Sequence, residues 1–410
     1  MPAGSVAAFA AALETTTTQM SYAAESTWAT LPATTFQAMR ILSESMAHKK
    51  TRTAPAEVRG DRQTSASITT QEVASGSVVF PIFYAEPNRV SMFDDFLSCT
   101  LGGDWQAPTV VTAVGGDIAV AASGAITSTT AGKFAGVRVG QTVKLAGFTN
   151  AINNGFYRVL QVVSAASLVT APLGFQPVAE TPAGTTAKMT FSSLQNGLFF
   201  KSIYMQQRLD PAGTKFFRYP GAYPTGMNLT LSLGQFAQAT ANFTAQQELK
   251  GLADASTGGI IAAPNTRDMD PVAGFKGVFF NDAPLGTGIN SCGIDLTNTG
   301  AAGEYFLGSP LAQGMMGGTF MAAAKTEFAF RDFTLYDNFR SEGTGVFSVH
   351  YGDQVGNRYI FTILQALPLF DSGVSNTGPN KMLTAPATIE ASPDTASGCT
   401  INIDRIPAGA

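Results

Sequence analysis

Gly76-Ser-Val-Val-Phe80, a polar break, then Met92-Phe-Asp-Asp-Phe96; and, further along the chain, Gly318-Thr-Phe-Met-Ala322 followed by Leu335-Tyr-Asp-Asn-Phe339. In both places an apolar run leads into a short segment with an aromatic–Asp–polar–Phe centre, and a glycine follows, Gly102 or Gly343. Alternating apolar residues mark the runs as strands, and the closely spaced apolar residues of the aromatic segments form one face of a helix. Outward from these segments the same order recurs: strand, long loop, strand, helix, strands. The first copy reads as strands over Phe36–Met46 and Val73–Tyr84, a helix over Ser91–Leu101, then strands over Phe199–Leu209, Lys215–Tyr219, Met227–Leu233 and Phe236–Gln246. Asn88 or Ser91 suits its helix N-cap and Gly102-Gly103 its C-cap. The second copy reads as Ile289–Thr299, a strand reaching Phe330, the helix, then Val346–Tyr351, Arg358–Leu367 and Met382–Ala391. A repeated order of elements points to a duplicated β-rich unit or to two meanders that converged on one order.

Between the copies the character changes. Residues 105–195 are rich in Gly, Ala, Val and Thr, with short strands expected at Val137–Leu145, Gly155–Val163 and Ser167–Ala171 and turn signals at Gly147 and Asn153-Asn154-Gly155. This reads as a small all-β inserted domain. The Gly/Pro/Ala-rich stretch 251–287 reads as a linker. The expected organisation is an N-terminal extension (1–35), a first unit (36–104 and 196–250) interrupted by the insert (105–195), the linker, and a second unit with its C-terminal tail (288–410).

The 410 residues include only 13% Asp, Glu, Lys and Arg, with 42 glycines and 45% hydrophobic residues. About a quarter charged is usual for a soluble protein. There is enough apolar material for a core, which excludes disorder as the main state. The low-charge surface suits burial against copies of the same chain. A net charge of −4 argues against a basic nucleic-acid-binding face. Cys99, Cys292 and Cys399 are widely spaced and fit neither a disulfide framework nor a zinc site; reduced structural cysteines are expected. No segment reaches the length needed to span a bilayer, and no Lys or Arg precedes the apolar run Val6–Leu13, so no signal peptide is expected.

No catalytic constellation emerges. His48 and His350 are far apart, and His350 sits in an alternating strand, where a surface or hydrogen-bonded role is expected. Asp94-Asp95 at a helix start reads as helix stabilisation rather than a catalytic dyad. No metal spacing, nucleophile elbow or phosphate-binding loop occurs, so no catalytic, metal or cofactor residues are assigned. Arg59-Gly60-Asp61 matches an adhesion tripeptide by chance in an exposed turn. The basic run Lys49, Lys50, Arg52, Arg59 and Arg62, with Asp61, lies in a polar, Thr-rich span that reads as the arms and tip of a long exposed hairpin. It is either a solvated loop or a contact with acidic residues on a neighbouring subunit.

Several further stretches carry a resemblance. Tyr22-Ala-Ala-Glu-Ser-Thr-Trp-Ala-Thr-Leu-Pro32, Phe36-Gln-Ala-Met-Arg40, Ala56-Glu-Val-Arg-Gly-Asp-Arg-Gln63, Val139-Gly-Gln-Thr-Val-Lys-Leu-Ala-Gly-Phe148, Asn154-Gly-Phe-Tyr-Arg-Val159 and Asn357-Arg-Tyr-Ile-Phe361, together with the two helix segments, resemble the major tail tube proteins of long-tailed bacteriophages. The resemblance implies a β-sandwich tube domain flanked by a helix, with a long hairpin reaching the neighbouring ring. It implies a structural virion protein of the tail that stacks in rings as a conduit for DNA, made in the host cytoplasm and without catalytic residues. Its expected partners are further copies of itself, the tape-measure protein and genomic DNA in the lumen, and tail terminator and tip proteins, with no membrane. The basic residues, with Asp61, become candidates for the inter-ring contact. One-domain relatives form six-fold rings, so two domains per chain imply a trimer with pseudo-six-fold symmetry. In that comparison the long basic loop after Met46 stands against a shorter, uncharged turn region at Gly300–Gly303. The rival reading is a β-rich virion adhesin or carbohydrate-binding tail protein, with the insert as its recognition domain; a hydrolase lacks the necessary cluster.

Overall fold

The computed structural model describes residues 13, 15–84, 91–286, 288–331, 333–370, 379–380 and 383–408. The chain opens with β1 (Gln19–Ala24), β2 (Phe36–Ala38), β3 (Ser43–Glu44), β4 (Ala47–Thr53) and β5 (Ile68–Pro81). The single strand expected over Phe36–Met46 is two short strands, because 39–42 turn away between them. β1 lies in what the sequence suggested was an unpatterned extension. Its residues Met20–Ala23 are all buried, so it has no wet face to reveal it as alternation.

Helix α1 (Met92–Leu101) follows. The Ser91 hydroxyl accepts from the Asp94 amide at 3.0 Å, and Gly102 closes the helix in the left-handed conformation at φ 60°. Asn88, the alternative cap, lies outside the described residues.

Next come β6 (Thr109–Thr112), β7 (Ile118–Val120), β8 (Ile126–Ser128), β9 (Thr142–Ala146), β10 (Phe156–Ser164), β11 (Ser167–Pro172) and β12 (Lys188–Phe191). They form a seven-stranded sheet in the order β6-β12-β9-β10-β11-β8-β7, with a core of its own that includes Tyr157, Val143, Leu145, Met189 and Phe191. The strand expected to start at Val137 starts at Thr142, because Val137–Gln141 is a turn through Gly140 at φ 83°.

The chain then returns through β13 (Ser193–Gln195), β14 (Ile203–Arg208), β15 (Phe216–Ser232), β16 (Gln238–Ala245) and β17 (Leu249–Gly251). Two strands expected at Lys215–Tyr219 and Met227–Leu233 are one strand of 17 residues. Pro220 and Pro224 read as breakers in sequence. Here Pro224 sits at a register shift, where β15 bends between partners and proline is tolerated.

β18 (Ile260–Ile261), β19 (Phe275–Phe280) and β20 (Ala283–Pro284) come next, so the stretch expected as linker contains strands. The remainder is β21 (Ile289–Thr299), β22 (Ala302–Glu304), β23 (Gly314–Met316), β24 (Thr319–Ala329), helix α2 (Thr334–Arg340), β25 (Gly345–Gly352), β26 (Arg358–Leu369), β27 (Thr384–Ser392) and β28 (Ile401–Ile406). Met382, the expected start of β27, lies outside the described residues.

Outside the seven-stranded sheet and the small β22–β23 pair, all strands belong to one large mixed sheet of 19. One run reads β4-β5-β16-β15-β21-β24-β27-β26-β25-β19. The fold is therefore mainly β, with a large mixed sheet, a smaller half-barrel-like sheet and short helices. β13, inside the expected insert span, pairs with β28 of the large sheet. The core beneath the large sheet is continuous: α1 contributes Phe93, Phe96 and Leu97, β5 Val78 and Phe80, and β26 Tyr359, Phe361 and Ile363.

Candidate assembly interface

β4 and β5 make the exposed hairpin anticipated around the basic run, pairing from Ala47↔Ser75 to Thr53↔Ile68 with 54–67 as its tip. The hairpin is charged but locally organised. Lys50 pairs with Glu72 at 2.9 Å, and His48 lies 3.4 Å from the same carboxylate. Lys49 donates to the Ser75 hydroxyl at 2.9 Å. Arg59 and Asp61 pair at 2.9 Å, and this hydrogen bond holds the Asp61 carboxyl below the ordinary carboxylate range. The tripeptide Arg59-Gly60-Asp61 thus has its two charges joined to each other. The side chains of Arg52 and Arg62 are exposed and make no ion pair among the described residues. Five cations and two carboxylates give the 47–67 segment a net charge of +3 in a chain of −4.

The base of the hairpin is clamped by the second half of the chain. The Glu72 amide donates to the Pro310 carbonyl at 2.7 Å, and the Tyr305 hydroxyl donates to the Glu72 carbonyl at 3.2 Å. Both partners belong to the β22–β23 hairpin. The region expected as a shorter turn at Gly300–Gly303 is in fact an excursion as long as the arm. Thr51 faces Gln71 across the first, and Thr299 faces Thr319 across the second. It folds back onto the first half, where Gln246 donates to the Ala312 carbonyl and Tyr223 to the Gly317 carbonyl. Sequence reasoning missed this, since glycines marked the turn but nothing marked the surface it returns to.

Asp94 and Asp95 do more than complement the helix dipole. Asp94 is fully buried; it pairs with Arg405 and accepts from the Tyr359 hydroxyl at 2.7 Å. Arg405 also lies over the Trp105 ring, 5.2 Å from its centroid. Asp95 accepts from the Tyr22 hydroxyl at 2.6 Å, and burial pushes its pKa up to about 6. The two carboxylates tie β1 and β28 to α1. His350 is neither a surface residue nor a hydrogen-bonded one. It is buried between Phe279 and Phe156, both ring nitrogens lack a partner among the described residues, and burial with help from the Arg358 charge holds its pKa near 3. The three cysteines are free and buried, with Cys99 and Cys292 pushed up to about 12 by burial. Among the described residues no group of His, Cys, Asp or Glu has the arrangement to hold a metal, and no helix is long and apolar enough to cross a membrane.

Across known protein families, residues 15–395 match the one described as phage tail tube protein. The chain belongs to the phage tail tube protein family. A comparison with curated proteins found no match. As a tail tube protein it is a structural component of the virion tail, not an enzyme, and it self-assembles into the tail. The match runs through the seven-stranded sheet as well. The buried histidine and thiols of this tail tube protein are core residues, and the β4–β5 hairpin carries a run of exposed cations.

Proposed function

We propose that this chain is the major subunit of the tail tube, closing into rings that stack into a hollow conduit for DNA. The observation that carries the reading is a pairing order that occurs twice: β3/β4-β5-β16-β15 and β21-β24-β27-β26, each with a helix after its second strand. This supports two tandem tube β-sandwich domains, 36–104 with 196–250 and 288–410, with 105–195 inserted into the first and 251–287 between them. Three such chains supply six tube domains, so the ring is a trimer with pseudo-six-fold symmetry, in keeping with closed cyclic assemblies generally.

The arm that carries Lys49, Lys50, Arg52, Arg59, Asp61 and Arg62 reaches the next ring, and its net positive charge meets an otherwise acidic chain there. The lumen wall is neutral or acidic, because each cationic contact would hold a sliding phosphate backbone. Genomic DNA and the tape-measure protein then pass without sequence specificity, and terminator and tip proteins close the two ends. Averaged end-on images of assembled tails test the reading. Three copies per ring are expected, and six would mean that one long domain has been divided in two.

A further inference from the structure

The seven-stranded sheet and the large sheet each turn an apolar face into a core of their own. Val143, Tyr157 and Met189 lie in one core, and Val349, Phe361 and Ile403 in the other. Strand alternation puts the intervening residues on the opposite faces: Thr142, Lys144, Phe156 and Arg158 on the smaller sheet, and His350, Arg358 and Asp404 on the large one. Those two faces meet. The Thr142 amide donates to Asp404 Oδ2 at 2.9 Å, and Lys144 donates to the Ala408 carbonyl at 3.0 Å. The Arg358 guanidinium lies 4.4 Å from the centroid of the Phe156 ring, which in turn lies 5.9 Å from that of His350. Arg158 holds Asp282 through two hydrogen bonds of 2.7 and 2.6 Å. The sheet that interrupts the first half of the chain is thus seated on the second half.

Two members of this joint stand out. His350 and Asp404 both face Ile360 from neighbouring strands, so they share one face of the large sheet. Both are wholly buried, and both His350 nitrogens and Asp404 Oδ1 lack a hydrogen-bond partner among the described residues. The charges around His350 are Arg358 on β26 and Arg158 on β10, the latter already joined to Asp282 of the β19–β20 turn; β19 brings only the Phe279 ring. Around Asp404, β9 brings Lys144, whose ammonium is held by Ala408, and β12 brings Lys188 on the same face as Thr190. Asn402 donates its amide at 2.7 Å, and Arg405 turns to Asp94 on the other side of β28. Among the described residues no cation pairs with Asp404 and no carboxylate with His350. A buried charge without a counter-charge is unfavourable, so each group is driven to its neutral form. Burial pushes Asp404 up to about 8, and burial with the Arg358 charge holds His350 near 3.

We propose that the joint between the two sheets is a proton-set latch, closed by a protonated Asp404 beside a neutral His350, which opens locally on the alkaline side through Asp404 and on the acid side through His350 while the large sheet stays folded. In the open joint both groups meet water and titrate near about 4 and about 6.5. Asp404 therefore takes up a proton on closing, and closure weakens as pH rises from about 4 to about 8. His350 sheds one on closing, and closure weakens as pH falls from about 6.5 to about 3. The two effects offset each other where the ranges overlap, so the latch is firmest at roughly pH 5–6.

Hydrogen–deuterium exchange on the full-length subunit, corrected for the intrinsic pH dependence of exchange, reads the opening at the Thr142 amide, which is bonded across the joint. Its protection is expected to fall by about tenfold or more from pH 5.5 to 8.5, and several-fold from pH 5.5 to 3, while the amides of 360–363 in the large sheet stay protected. Asp404→Asn is expected to remove the alkaline fall and keep the acid one, and His350→Leu to do the reverse. A flat wild-type profile at Thr142 overturns the latch, whether or not either variant folds. Equal loss of protection at 360–363 means whole-molecule unfolding and overturns it too. Protection at pH 5.5 that disappears on dialysis against a chelator puts a metal ion rather than a proton on Asp404, and overturns the assignment.

Discussion

α1 and α2 are built around nearly the same four residues, Phe93-Asp-Asp-Phe96 and Tyr336-Asp-Asn-Phe339, and finish in opposite circumstances. α1 has a side-chain cap, a left-handed glycine at its end and nine buried residues of its ten. Its Asp94 is tied to Arg405 and Tyr359. α2 is seven residues long, has Phe333 at its N-cap with no side-chain hydrogen bond, and holds Asp337 at the surface. The helix signal is the same in both; the difference is what the rest of the chain lays over them. β1, β26 and β28 converge on α1, while among the described residues α2 meets chiefly the end of β26 through Phe370. Burial here depends on long-range topology rather than on the helix's own residues.

The sharpest break in this comparison lies in the two excursions that precede the helices. Replacing 54–67 by an Asn-Gly turn joins Thr53 to Ile68, which already face each other, and suits a two-residue hairpin. The shortened subunit should keep its unfolding temperature and lose tube elongation entirely, as read by electron microscopy. Normal tubes would show that the arm is only a solvated loop.

The paired aspartates give the next contrast. Arg405→Leu leaves the Asp94 carboxylate buried without its cation, and loss of about 3–5 kcal/mol is expected in denaturant unfolding. Asp337→Ala at the surface of α2 should change stability by less than about 0.5 kcal/mol. Similar losses from both would erase the distinction between the helices.

β28 and its first-half counterpart β17 differ in the same way. Burial pushes Asp404 up to about 8, while β17 is largely exposed. An aspartate in the unfolded chain titrates near about 4, so the folded chain keeps a proton that the unfolded chain loses between those values. Stability should therefore be greatest below the window and fall as pH rises toward 8. His350, held near 3, acts in the opposite sense below about 6.5. The fall between about pH 6.5 and 8 isolates Asp404, and Asp404→Asn should flatten it; an unchanged slope would put the titration elsewhere.

The smallest effect concerns the caps. Ser91→Ala should cost about 1 kcal/mol by removing the hydroxyl that holds the Asp94 amide. At the start of α2, Phe333 offers no side-chain hydrogen bond of this kind.

The sequence made these contrasts partly legible. The strand Ile289–Thr299, the α1 boundaries with Ser91 and Gly102, and the charged hairpin could all be read from alternation, capping chemistry and composition. Other elements were hidden for physical reasons. Gln19–Ala24 buries both faces and shows no period. Ile401–Ile406 alternates as though one face were wet, but Asn402 and Asp404 face protein, and Asp404 accepts from the Thr142 amide of the smaller sheet. The prolines of β15 concealed one long strand. The candidate interface was visible as charge. The contacts that the β22–β23 hairpin makes with the first half were not, because glycines mark a turn but not the surface it returns to.

The joining of Asp94 to Arg405 also orders events in time. Residues 311 positions apart along the chain meet at α1, which emerges well before β28. A ribosome that has released only the first half has produced a helix whose buried carboxylate still lacks its counter-charge, and whose Phe93 still lacks the Tyr359 ring. The first half therefore keeps a buried carboxylate without its cation until β28 has emerged. Chains cut before β28 lack that counter-charge, and they are expected to be less stable than chains that carry it.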